Sequence, residues 1–193
     1  MQVEVHGDVD EALEALAETL TTAGVVSDPI VALPGDDAAA GRLFELREAV
    51  PTAVNAAIGV AQQRDPEIQK TAGDFIVPFE RLDESLALYR RACTSRGLAC
   101  AIWGHASDGN LHPNVIPRSR EEMVLGREAL LDMSRAVIAM GGSPLAEHGV
   151  GRSPMKQQML RDLYGDQGVA EMRAVKRALD PGGILAPRVL FSE

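Results

Sequence analysis

The dipeptide Asp108-Gly109, set between the apolar stretch Leu98–His105 and the stretch Asn110–Ile116, constrains the chain more than any other feature. A two-residue type I′ turn needs φ > 0 at both central positions, which Asp-Gly supplies at low cost. The flanking stretches are therefore expected as antiparallel strands joined by a tight hairpin. Centring the turn there puts Ser107 opposite Asn110, Ala106 opposite Leu111 and His105 opposite His112. Opposed residues point to one side with Cβ atoms about 4.5–5.5 Å apart, so the two imidazoles share a face. Asn114, two residues past His112, lies on that face too. Pro113 falls opposite Gly104 in a non-hydrogen-bonded pair, where its missing N–H costs nothing on that side.

Elements of both periods surround this hairpin. Gln2–His6, Pro29–Leu33 and Asp74–Phe79 read as short strands. Asp8–Ala23, with Ala12, Leu13, Leu16 and Leu20 at helical spacing, reads as a helix ended by Gly24. A helix capped by Asp36 or Asp37 runs to about Val50. Pro51 is expected to interrupt it, because the ring clashes with the Arg47 carbonyl, and Thr52–Gln63 follows as a second helix. Arg81–Arg96 ends at Gly97, and Glu121–Met140 is stopped by Gly141-Gly142. Ser153–Tyr164 and Val169–Leu179 close the chain as two shorter helices. The expected class is α+β, with a largely antiparallel sheet, helices packed on one face and a helical C-terminal tail. At 193 residues the chain reads as a single domain.

Charge narrows the function. The chain carries 19 Lys and Arg against 28 Asp and Glu. A duplex-binding protein presents a basic face, so nucleic acid is not the expected partner. The excess acid sits in residues 1–41, which hold nine acidic residues and no Lys or Arg. Every candidate site residue falls in the balanced remainder. No run reaches the ~18–20 apolar residues of a membrane span. The acidic N-terminus lacks a signal-peptide pattern, and Cys93 and Cys100 form neither a ligand pattern nor a disulfide framework. A cytoplasmic protein with reduced thiols is expected.

The chain contains no P-loop, and Gly149-Val150-Gly151 fails to extend to G-x-G-x-x-G because Pro154 occupies the last position. Two features remain. The His105/His112 pair could share one metal ion; it also reads as a stacked, solvent-facing pair with no ligand. The Gly-rich segment 141–151 presents Glu147 and His148 side by side. Two imidazoles and a carboxylate suit Zn²⁺ or non-haem Fe²⁺ and leave open positions for substrate. Adjacent residues diverge, so one can ligate while the other acts as a base. The same loop also reads as a surface Glu beside a capping His.

These residues resemble a known family. GHASDGNLHPN resembles G-H-x-G-D-G-N-x-H, and AEHGVG resembles S/G-E-H-G-[IV]-G. Both are signatures of the C-terminal domain of FAD-linked oxidases, of the D-lactate dehydrogenase, glycolate oxidase flavin subunit and D-2-hydroxyglutarate dehydrogenase type. LFELREAVP, KTAGDFIVP and VKRALDPGGILAP resemble three further family blocks in the same order, so that five blocks span about residues 40–190. Ser107, Pro51 and Ala186 depart from the family pattern, which has Gly, in some members Thr, and Asn at those places.

The resemblance implies a ferredoxin-like cap domain. It implies His105, His112 and Glu147 as ligands of a divalent metal (Zn, Fe or Mn) and His148 as the catalytic base. Arg47, Lys70 and Asn114 are implied to hold a small 2-hydroxy acid. FAD is implied to be held mainly by an N-terminal domain absent from these residues. Two other roles are compatible with the same residues: a stand-alone subunit docking onto a separate flavoprotein chain, and a flavin-free divalent-metal protein that binds small hydroxy acids.

Overall fold

A computed structural model of the chain describes residues 7–25 and 29–191. The chain divides into two compact units, Met1–Ala53 and Val54–Glu193.

The first unit begins with α1 (Val9–Thr22), where the Asp8 carboxylate accepts the N–H of Asp10 and Glu11, each at 3.1 Å. That cap fixes the start of the expected helix. The strand expected at Gln2–His6 lies outside the described residues. Pro29–Leu33 is not a strand. Ile30, Val31 and Leu33 are all exposed, so among the described residues its apolar side chains find no face to bury and its backbone no ladder to join. α2 (Asp37–Arg64) follows, capped by Asp36, which accepts the Ala39 N–H at 2.9 Å. Pro51 does not interrupt it, contrary to expectation. One proline removes one i→i−4 bond, and the turns on either side carry the helix through.

The second unit takes the rest of α2, then β1 (Thr71–Ala72), β2 (Phe75–Ile76), α3 (Leu82–Thr94), β3 (Cys100–His105), β4 (Asn110–Val115), α4 (Arg120–Ala139) and α5 (Pro154–Leu179). These four strands pair antiparallel, and β4 is central, with β3 on one edge and β1 and β2 on the other. Ala72 faces Asn114 and Phe75 faces Leu111, so β1 and β2 are two pieces of one row. The row parts at Gly73, whose N–H reaches the Pro113 carbonyl at 2.9 Å. Pro113 has no N–H to return the bond. The cost of that proline falls on this edge, and on the β3 edge it faces Ile102.

Leu111 and Val115 of β4 turn into a core with Phe75, Tyr89, Met133 and Val137, where α3 and α4 pack on the sheet. The alternate residues Asn110, His112 and Asn114 are buried and polar on the opposite face. The fold is thus α+β with helices on one face of an antiparallel sheet. α5 is broken at Gly165 (φ 70, ψ 173), where the sequence separates two helices. No helix among the described residues is long and apolar enough to cross a membrane.

The hairpin closes differently from the expectation. Residues 106–109 form a four-residue loop, with a 3₁₀ turn over Ala106–Asp108 and Gly109 left-handed at φ 72. His105 faces Asn110, Gly104 faces Leu111 and Trp103 faces His112. The register has moved by two residues. The loop tip is tied to the chain beyond β2 by the Val77 N–H, which donates to the Gly109 carbonyl at 3.1 Å. Because strand side chains alternate with a period of two, an even shift leaves every one on its face. His105, His112 and Asn114 still share a side.

Candidate functional site

The helix-free face of β4 carries His112, and two segments converge on it. In the row formed by β1 and β2, the register places Asp74 opposite His112. The second segment, 141–151, is stitched to the same row. Ile76 and Ser143 exchange backbone bonds of 2.9 and 2.8 Å, and the Ala146 N–H reaches the Asp74 carbonyl at 3.2 Å. Gly142 makes this approach possible, since a Cβ there would stand 2.2 Å from the Ile76 carbonyl oxygen.

The result is a tight polar cluster. His112 Nε2 lies 3.1 Å from Glu147 Oε1, and His148 Nε2 lies 3.2 Å from the same oxygen. His105 Nε2 is 3.8 Å from it. The His105 and His112 rings meet edge to face with centroids 5.9 Å apart, and those of His112 and His148 are 4.9 Å apart. Asp74 is 2% exposed. Its Oδ2 accepts the backbone N–H of Glu147 at 2.9 Å and of His148 at 2.7 Å.

Electrostatics follow from this packing. Burial pushes the Asp74 carboxyl up, but the His148 and Glu147 amides and the two neighbouring imidazoles outweigh it and hold the group below its ordinary value. Burial lowers the His112 imidazole below its ordinary value. The His148 and His105 rings add to that, and the Asp74 and Glu147 carboxylates oppose it.

The donor set fits a divalent cation. Asp74, His112, Glu147 and His148 each offer one ligand atom, all within 4.8 Å of one another. Asp74 Oδ1 and His112 Nδ1 are buried without a hydrogen-bond partner. Mixed imidazole and carboxylate donors suit Zn²⁺, Fe²⁺ or Mn²⁺.

Of the seven residues singled out by sequence, His105, His112, Glu147 and His148 come together. Asn114 is buried on the same face, its amide nitrogen donating to the His112 carbonyl at 2.7 Å. Lys70 is exposed; its Nζ donates to Asn55 Oδ1 at 3.2 Å and sits 5.8 Å from the Trp103 ring centroid. Arg47 belongs to the first unit and pairs with the adjacent Glu48 at 3.3 Å. Asp74 was missed. The available signal was the acid of KTAGDFIVP, whose DFIVP fits the D-x-x-[VL]-P end of the family block it resembles, but an acid opening an apolar run gives no hint of its partners.

Comparison with known proteins agrees with this picture. D-lactate dehydrogenase [cytochrome], mitochondrial, of Kluyveromyces lactis is 31% identical over 77% of this chain and 25% of its own length. Glycolate oxidase subunit GlcD of Bacillus subtilis is 31% identical over 62% of this chain and 26% of its own. D-2-hydroxyglutarate dehydrogenase of Xanthomonas citri pv. viticola is 32% identical over 94% of this chain and 38% of its own. The chain therefore spans about a quarter to two fifths of the length of the curated relatives it matches. The family description "FAD linked oxidases, C-terminal domain" matches residues 2–190. With nearly its whole length matched, the chain belongs to the FAD-linked oxidase C-terminal domain family.

Proposed function

We propose that this chain is the substrate- and metal-binding domain of an FAD-dependent oxidoreductase that oxidises a small 2-hydroxy acid to the 2-oxo acid. The observation that carries this reading is the convergence of His105, His112 and His148 on one oxygen of Glu147, within a domain whose relatives are named for lactate, glycolate and 2-hydroxyglutarate. His105, His112 and Glu147 would hold Zn²⁺, Fe²⁺ or Mn²⁺. A divalent cation there supplies Lewis acidity that lowers the pKa of the substrate hydroxyl. His148 is more than half exposed, so its Nε2 can meet an incoming ligand and take the hydroxyl proton as general base. Lys70 and Asn114 would bind the substrate, the cation offering charge to its carboxylate; for Arg47, in the first unit, the same role is only what the resemblance implies. Flavin supplies the two-electron acceptor and is held mainly by residues other than these. The free thiols of Cys93 and Cys100 fit a reducing, cytoplasmic setting.

Thermal unfolding of the chain tests the substrate class. Lactate, glycolate or 2-hydroxyglutarate should raise the midpoint only when Zn²⁺ or Mn²⁺ is also present, as mass action on the folded state requires. No shift with any of the three acids in the presence of metal would overturn the reading.

A further inference from the structure

We infer that Asp74 is a positioning residue that fixes which ring nitrogen of His112 and His148 carries the proton, and so aims both Nε2 lone pairs at the metal and substrate side. The inference rests on the proposed metal site and assigns a role inside it that no motif reading gave.

The geometry divides the cluster into an inner and an outer carboxylate. Both imidazoles turn Nδ1 toward Asp74, with His112 Nδ1 at 3.5 Å from Oδ1 and His148 Nδ1 at 3.3 Å from Oδ2. Both turn Nε2 toward Glu147 Oε1. Asp74 is 2% exposed at its side chain and Glu147 is 42% exposed. A ligand arriving from solvent therefore meets Glu147 and the Nε2 atoms and does not reach Asp74. Asp74 Oδ2 already accepts two backbone N–H groups, which leaves it poorly placed to bind a cation as well. Its Oδ1 and His112 Nδ1 are the two buried atoms lacking partners here, and they face each other. An Nδ1–H of His112 donating to Oδ1 satisfies both. A metal-binding imidazole commonly donates its other ring N–H to a carboxylate in this manner, which sets the tautomer and the ring orientation. The same Asp74 side chain holds the backbone that presents Glu147 and His148, so one residue sets the aim of three.

The test uses the full chain without metal, at a pH where the rings are neutral. Nitrogen-15 correlation spectra of the imidazoles should show the Nδ1–H tautomer for His112 and His148. The Nε2–H tautomer for both rings in the unaltered chain overturns the inference and needs no variant. Asp74→Asn keeps the size and an oxygen for the two amides, but not two acceptor oxygens. It should shift the tautomer of at least one ring. Its affinity for Zn²⁺, measured by chelator competition, should fall about 10–100-fold while circular dichroism stays unchanged. Unchanged tautomers in Asp74→Asn overturn the inference, and so does complete loss of zinc with unchanged tautomers, which would make Asp74 a ligand. If the unaltered chain shows the Nδ1–H tautomers and binds no divalent cation, the positioning role stands and the metal site fails.

Discussion

Glu147 Oε1 is the atom on which the site turns, because His112, His148 and His105 all place Nε2 within 3.8 Å of it. Glu147→Gln keeps the shape and removes the charge. The expected result is a loss of Zn²⁺ affinity larger than the ~10–100-fold of a change behind the ligands, read by chelator competition; wild-type affinity would remove Glu147 from the site. Five of the seven proposed residues were legible as neighbours because two local patterns placed them. Alternation put His105, His112 and Asn114 on one face, and a Gly-rich loop put Glu147 beside His148. Asp74 was illegible for a physical reason. Its partners, the amides of Glu147 and His148 and the ring of His112, lie far along the chain; pairing with β4 brings the ring near, and the bonds from the β1/β2 row to segment 141–151 bring the amides. Lys70 occupies a hydrogen bond to Asn55 and a cation–π contact with Trp103 that no spacing rule anticipates.

At the scale of elements, the hairpin shows which part of a strand reading is robust. Its register moved by two residues with the four-residue loop 106–109, yet the faces survived because the movement was even. Gly109→Ala tests the tie of that loop to Val77. At φ 72 its Cβ would stand 2.2 Å from the Val77 carbonyl oxygen. The backbone strain alone costs about 1–3 kcal/mol, and each kcal/mol lowers the midpoint of a domain this size by roughly 2–4 °C; an unchanged midpoint would contradict the register. Pro51 was expected to break a helix that continues through it. Pro51→Ala should therefore stabilise α2 by up to ~3 kcal/mol, seen as a higher midpoint in calorimetry; a lower midpoint would mean the ring serves a contact. At the end of α5, Asp180 accepts from Lys176 and from the N–H of Ile184 and Leu185, both at 3.0 Å. The Lys176 hydrogen bond is the main reason its carboxyl lies below the ordinary 3.8; burial opposes it and the two amides assist. The folded value is the depressed one, so its stabilisation is full above 3.8 and is lost as pH falls through the lower folded value. Amide shifts of Ile184 and Leu185 should titrate together below 3.8, and a midpoint above it would contradict the cap.

At the scale of the whole molecule, the antiparallel sheet with helices on one face leaves the other face of β4 to the polar cluster of His112, Asn110 and Asn114. That division was legible from the mix of two-residue and 3.6-residue periods. The grouping into two units was not, because the boundary at Ala53 falls inside the continuous helix α2. The family match covers residues 2–190, while the relatives extend well beyond the matched part. The purified chain is accordingly expected to show no stoichiometric flavin absorbance. A full complement of bound FAD would contradict the placing of the flavin on other residues. The proposed function stands or falls with metal binding at the cluster around His112. Calorimetric titration of the chain and of His112→Ala with Zn²⁺ tests it most directly. One ion per unaltered chain and none retained by the variant is the expected result. Equal binding by both, or none by either, would contradict the claim.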